Sequence, residues 1–136
     1  MTLALLSTVL LLIAMGFFML GSLPLLVLKH DTPLDSRFIR GLFNVYYTAV
    51  MLTSTVAAAS YGFASRPIFS VWLCGVGALA FLLRRTVVSR MDQLRSIMTP
   101  ADKPAIRRFR RLHIGGMVVN VVQLGCVAWG LTFLRI

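Results

Sequence analysis

The chain has 136 residues and a formal net charge of +10, yet only 13% of its residues are charged and 58% are hydrophobic. A water-soluble domain carries roughly a quarter charged residues, so this composition excludes an ordinary soluble fold. There is no Glu, and the four Asp residues all fall outside the apolar stretches. That removes the paired carboxylates of most acid–base enzymes and the buried acid that marks a proton or cation pathway in a membrane.

The apolar residues lie in four blocks, 3–28, 42–61, 67–83 and 114–134, and none of the blocks holds an Asp, Glu, Lys or Arg. Each block is close to the ~20 residues with which an α-helix crosses a bilayer. No charged face recurs at helical spacing within them, as it would on a helix at the surface of a soluble core. Backbone groups in lipid must be satisfied within the segment, and the blocks neither alternate nor have the length of barrel strands. The first block has no positive segment before it and is too long for the apolar core of a signal peptide, so it reads as a retained span. The expected fold is all-α: an integral membrane four-helix bundle, one membrane domain over residues 1–136, with cytoplasmic extensions of helices three and four.

Charge placement predicts orientation. Twelve of the fourteen basic residues lie in the first and third connections, 29–40 and 84–111, leaving Arg66 and Arg135 for the other side. By the positive-inside rule these two connections are cytoplasmic, in a plasma (inner) membrane, and both termini are outside. Tyr61, Trp72 and Trp129 are then expected at the outer interface, and Tyr46 and Tyr47 at the inner one. The arginines Arg84, Arg85, Arg107, Arg108, Arg110 and Arg111 are expected to contact anionic lipid headgroups. Nucleic acid is not an expected partner, because the basic stretch is pinned to the membrane and contains a single aromatic residue, Phe109.

In chain order, helix one carries Gly16, Gly21 and a bending Pro24, followed by a short turn in which Asp35 or Ser36 is the expected helix cap. Helix two carries the polar line Asn44, Thr48 and Thr55, with Tyr47 nearby, and a tight link joins it to helix three as an antiparallel neighbour. Helix three continues past Arg84-Arg85 with Val87, Met91, Leu94 and Met98 at helical spacing. Thr99-Pro100-Ala101-Asp102 reads as the start of the last helix, with Thr99 as cap.

Few residues could carry chemistry. His113 and Asn120, seven apart on one face of the last helix, form a polar stripe extended by Gln123; with Asn44 and Tyr47 they make a candidate ligand site. The plain alternative is an interfacial His and a packing Asn. His30 is the second of two His residues, and a His30–His113 pair could hold haem or a metal at the cytoplasmic mouth. Cys74 and Cys126 fall at matching depth on antiparallel helices, roughly 10 Å from the outer surface at about 1.5 Å per residue. They are a candidate thiol pair or copper site, or else simply small apolar filler. The methionines, Met15 and Met19 included, read as filler.

Arg40-Gly41-Leu42-Phe43-Asn44-Val45-Tyr46-Tyr47 resembles the start of helix two in the transmembrane protein 205-like family. Phe109-Arg110-Arg111-Leu112-His113 with Asn120 resembles that family's opening of helix four. Where a Pro often follows the Phe of helix two, this chain has Asn44. The resemblance runs over nearly the whole chain and implies the four-span fold. It marks Phe43, Tyr46, Tyr47, His113 and Asn120, and it supplies no reaction. The copper-resistance D and haem-biosynthesis membrane oxidase group uses His inside its early helices, which this chain lacks. The expected role is a packing or accessory subunit, or an oligomeric transport component; the alternative is a haem- or metal-handling redox protein.

Overall fold

The computed structural model describes residues 1–27, 29–30 and 32–133; Leu28, Asp31 and the C-terminal residues 134–136, where Arg135 falls, lie outside the described residues. All regular structure among the described residues is helical: α1 (Thr2–Leu25), α2 (Pro33–Phe63), α3 (Pro67–Leu83), α4 (Ser89–Ile97) and α5 (Lys103–Thr132). A π-helical stretch, Arg84–Val88, joins α3 to α4, so that Pro67–Ile97 is one continuous rod. The result is four helices long and apolar enough to cross a membrane.

Helix ends follow local chemistry, and two differ from the sequence-based expectation. Thr32, not Asp35 or Ser36, caps α2 by accepting from the Asp35 backbone N–H at 3.2 Å. Pro33 fits the first helical position, where no N–H partner is needed, and the helix therefore starts well before its apolar block. Likewise Asp102, not Thr99, caps α5, accepting from the Ala105 N–H at 3.1 Å, with Pro104 in the first turn. Thr99 instead closes a turn, its carbonyl accepting from the Asp102 N–H at 2.9 Å. The α2–α3 link holds Ser65 at φ 56°, with the Arg66 N–H donating to Tyr61 O and the Ser65 N–H to Gly62 O. Those paired bonds satisfy the last carbonyls of α2 and turn the chain back.

The helices meet along seams with alternating three- and four-residue steps. On α1 the buried positions include Ala4, Thr8, Leu11, Met15, Phe18 and Ser22. On α5 they include Phe109, His113, Gly116, Asn120, Gln123 and Val127. This spacing keeps one narrow face of each helix against its neighbours, as in coiled-coil-like packing. α2 is central, packed against both α1 and α3, while α1 also packs on α5. On the rod, buried Leu73, Val76 and Ala80 step by three and four. The next buried positions, Val88 and Met91, stand one residue later than that rhythm would place them, which is the extra residue of the π-turn.

Polarity runs opposite to that of a soluble protein. α1 buries Ser7, Thr8 and Ser22 while exposing Leu6, Leu10, Ile13, Phe17 and Leu20. Tyr46, Tyr47 and Tyr61 are all buried in the bundle, and Trp129 is the well-exposed aromatic of the two tryptophans. At the basic end α2 and α4 are clamped by Arg40, which donates from Nε and Nη2 to the two Asp92 oxygens, both at 2.8 Å. Arg95 adds a donation to Ser36 Oγ at 3.3 Å and an ion pair to Asp92 at 3.6 Å.

Seating of the Phe43 ring of α2 against α5 depends on one glycine. A Cβ on Gly116 would enter the Phe43 ring, whereas a Cβ on Gly115 would meet open space. Gly116→Ala is expected to lower unfolding stability in detergent by about 1–3 kcal/mol. Gly115→Ala should be neutral or mildly stabilising. Equal losses from the two would contradict this packing.

Candidate functional site: a buried histidine pair above a polar clasp

The loop after α1 places His30 at φ 63°, a left-handed conformation that costs a non-glycine residue on the order of 1 kcal/mol. It turns the imidazole inward onto α5. His30 Nε2 and His113 Nδ1 stand 3.0 Å apart, and both residues are 0% exposed. One ring donates its N–H and the other accepts, so at least one of the two is neutral. The pair is walled by aromatic rings: Phe109 at 6.2 Å from His30 and Phe43 at 5.6 Å, edge-on, from His113. One turn before His113, Arg110 donates to the Leu26 carbonyl at 3.3 Å and ties the end of α1 to α5.

Two turns further into α5 lies Asn120. Its Oδ1 accepts from the Tyr46 hydroxyl of α2 and its Nδ2 donates to the Met15 carbonyl of α1 at 3.2 Å. One amide thus joins three helices. Between the two polar layers sits an aromatic layer. Phe18 stacks on Tyr46 at 4.0 Å and meets Phe43 edge-on at 4.9 Å, and Tyr47 lies 5.2 Å from Tyr46. At the far end the Tyr61 hydroxyl stands 3.4 Å from Thr8 Oγ1, whose own hydrogen goes to the Ala4 carbonyl.

The interior also holds polar atoms with no hydrogen-bond partner among the described residues: His113 Nε2, Ser22 Oγ, Tyr47 OH and Gln123 Nε2. A buried unsatisfied group costs ~1–3 kcal/mol, so each has use for a water, a proton or a small ligand atom. Chemically, the facing imidazoles can share a proton, or hold one metal ion between their nitrogens. A porphyrin cannot lie between rings already at hydrogen-bond distance, which disfavours bis-His haem in this arrangement. Among the described residues no group of three or more His, Cys, Asp or Glu is placed to hold a metal ion.

The sequence candidates separate. His30, His113, Asn120 and Tyr47 come together in the interior, as do Phe43 and Tyr46. Asn44 does not join them. It lies on the opposite side of α2, accepting from Arg84 Nε at 3.0 Å. Cys74 and Cys126 are both free and both exposed, so the candidate thiol pair is not formed, and the reading of the two as filler on their helices stands beside it. Sequence reasoning missed Tyr46 as the partner of Asn120, although both stand on the seam spacing of their helices. The Met15 carbonyl, as backbone, left no sequence signal.

No family model, no curated protein and no solved structure matches this chain.

Removing the clasp should be measurable. Tyr46→Phe leaves Asn120 Oδ1 without its donor and is expected to cost between about 0.6 and 1.7 kcal/mol in micelle unfolding. Asn120→Leu, alone and combined with Tyr46→Phe, should be non-additive; strict additivity would show that the two side chains are not coupled.

Proposed function

We propose that the chain is an integral protein of the plasma (inner) membrane that works through helix packing, as an accessory subunit or an oligomeric transport component. In this reading it crosses the bilayer four times, with connections 29–40 and 84–111 in the cytoplasm and both termini outside. The support is the inverted polarity of α1, the uncharged exposed flanks, and the gathering of basic residues at one end. Membership of the transmembrane protein 205-like family is part of the proposal. It is supported by Phe43, Tyr46, Tyr47, His113 and Asn120 clustering in one place.

The observation that carries the packing role is an open groove of about 340 Å³ between α2 and α3, lined by Ser54, Thr55, Ala58, Ser70, Cys74 and Ala78 among others. Beneath it the two helices are already close, since a Cβ on Gly77 would stand 2.6 Å from Ser54 Oγ. Small residues in such a groove let a further helix approach within backbone contact, the usual basis of helix association in lipid.

A second reading, metal handling at His30–His113, is favoured by one observation: two buried imidazoles facing each other at 3.0 Å. Each reading has its own measurement. A maleimide photo-crosslinker on Cys74 in native membranes is expected to give adducts that the same label on Cys126 does not; a strictly monomeric chain would sink the packing role. A tag at Ser89 should be shielded from an impermeant reagent and one at Thr2 reachable, and finding both in the same compartment would overturn the topology. For the second reading, metal analysis of purified protein should find one ion per chain, lost in His113→Ala. No bound metal and no haem absorption band would eliminate it.

A further inference from the structure

At the basic end, α4 and α5 diverge around a cleft of about 530 Å³. Its walls combine two chemistries. Arg90 comes from α4, and Arg108 and Arg111 come from α5, with Gln93 beside them; Leu94, Ile97 and Leu112 form the rest. The spacing explains the mixture. Positions 90, 93, 94 and 97 share one face of α4, and 108, 111 and 112 share one face of α5. Each helix therefore contributes a stripe that mixes cationic and aliphatic side chains.

The positive charge of this cleft is uncompensated. The two ion pairs among the described residues both use Asp92, which faces Arg40 and Arg95 on the α2 side of α4. Asp102 is occupied capping α5, and no described carboxylate lines the cleft. Arg90, Arg108 and Arg111 are exposed and make no hydrogen bond with a described residue. The neighbouring hollow around Arg84 and Arg85 differs. It contains Asp92 itself, and Arg40 and Arg84 there are already engaged.

Position completes the case. Arg111 stands three residues, about 4.5 Å of helical rise, before the apolar stretch that opens at Ile114. Beside that stretch, a guanidinium at this height meets a phosphate rather than an acyl chain. Guanidinium groups bind phosphate oxygens through paired donors, and Leu112, with exposed Ile114 beyond it, offers an aliphatic path towards that stretch that a free ion would not use.

We propose that the α4–α5 cleft is a binding site for one anionic glycerophospholipid, its phosphate held by Arg90, Arg108 and Arg111 and its apolar part leaving the cleft past Leu112 towards Ile114. The site deepens the proposed membrane role and rests on it, but it is testable without reference to orientation. Full-length protein in neutral detergent is titrated with phosphatidylglycerol, phosphatidylcholine or inorganic phosphate, and bound lipid is read by native mass spectrometry. One phosphatidylglycerol per chain is expected, with phosphatidylcholine bound weakly. At ~1 kcal/mol per cation near a charged surface, the triple variant R90Q/R108Q/R111Q should lose about tenfold or more in affinity. The control K29Q/R37Q/K103Q removes the same charge elsewhere and should stay within about threefold; matching losses would show a diffuse charge effect and overturn the site. Ile114→Ser should weaken phosphatidylglycerol alone. Inorganic phosphate displacing the lipid at equal concentration, with Ile114→Ser silent, would assign the cleft to a free anion instead. Circular dichroism and melting of the variants should match the parent, since the three arginines are exposed; failure of this site while the Ser89 and Thr2 tags behave as expected would leave the topology standing.

Discussion

Asn120 holds α5 to both α1 and α2 through one amide, and the consequences of that arrangement reach most of the bundle. When the outer flanks of the helices are as apolar as their contacts, burying hydrocarbon gives little preference for one helix pairing over another. Directional bonds and close approach must then choose the partners. The clasp supplies direction. Gly116 supplies approach, since Phe43 occupies the volume a Cβ would need. With α5 joined to α2 through the Phe43 and Tyr46 side chains, His113 stands two turns nearer the basic end and reaches the loop that bears His30.

The same logic explains the inverted distribution of hydroxyl groups. Ser7, Thr8 and Thr53 donate to carbonyls three or four residues earlier in their own helices, which satisfies them locally without a partner helix. Ser22, Tyr47 and Gln123 keep a polar atom unsatisfied in the interior, and these atoms lie on the same seams as the histidines. An interior of this kind stays specific only if its polar atoms find partners, which makes it the most chemically exacting part of the molecule.

The basic end is organised by a different force. Arg40 and Arg95 share the single carboxylate of Asp92, and Arg84 is taken by Asn44, so part of the positive charge is consumed in fastening α2 to the α3–α4 rod. The π-turn makes this division workable. By adding one residue it returns Val88 and Met91 to the seam. What remains unpaired, on the far faces of α4 and α5, is a cationic surface next to aliphatic side chains.

Much of this architecture is legible in the chain itself. Four uncharged blocks of near-spanning length dictate four apolar helices, because an unbroken run of aliphatic residues has one economical backbone form away from water. The clustering of basic residues in alternate connections is likewise a property of composition along the chain. The seven-residue step from His113 to Asn120 marks a shared helix face before any neighbour is known. Partner choice is not local, and only the tertiary structure decided it. Nothing adjacent in sequence tells Asn120 to meet Tyr46 and a Met15 carbonyl, or turns Asn44 outward to Arg84. Two cysteines at equal depth on their helices point outward because depth is a matter of rise per residue, while facing is set by which seam each helix presents to its neighbours. Helix length depended on order along the chain; the joining of His30 to His113 depended on how four rotated cylinders pack.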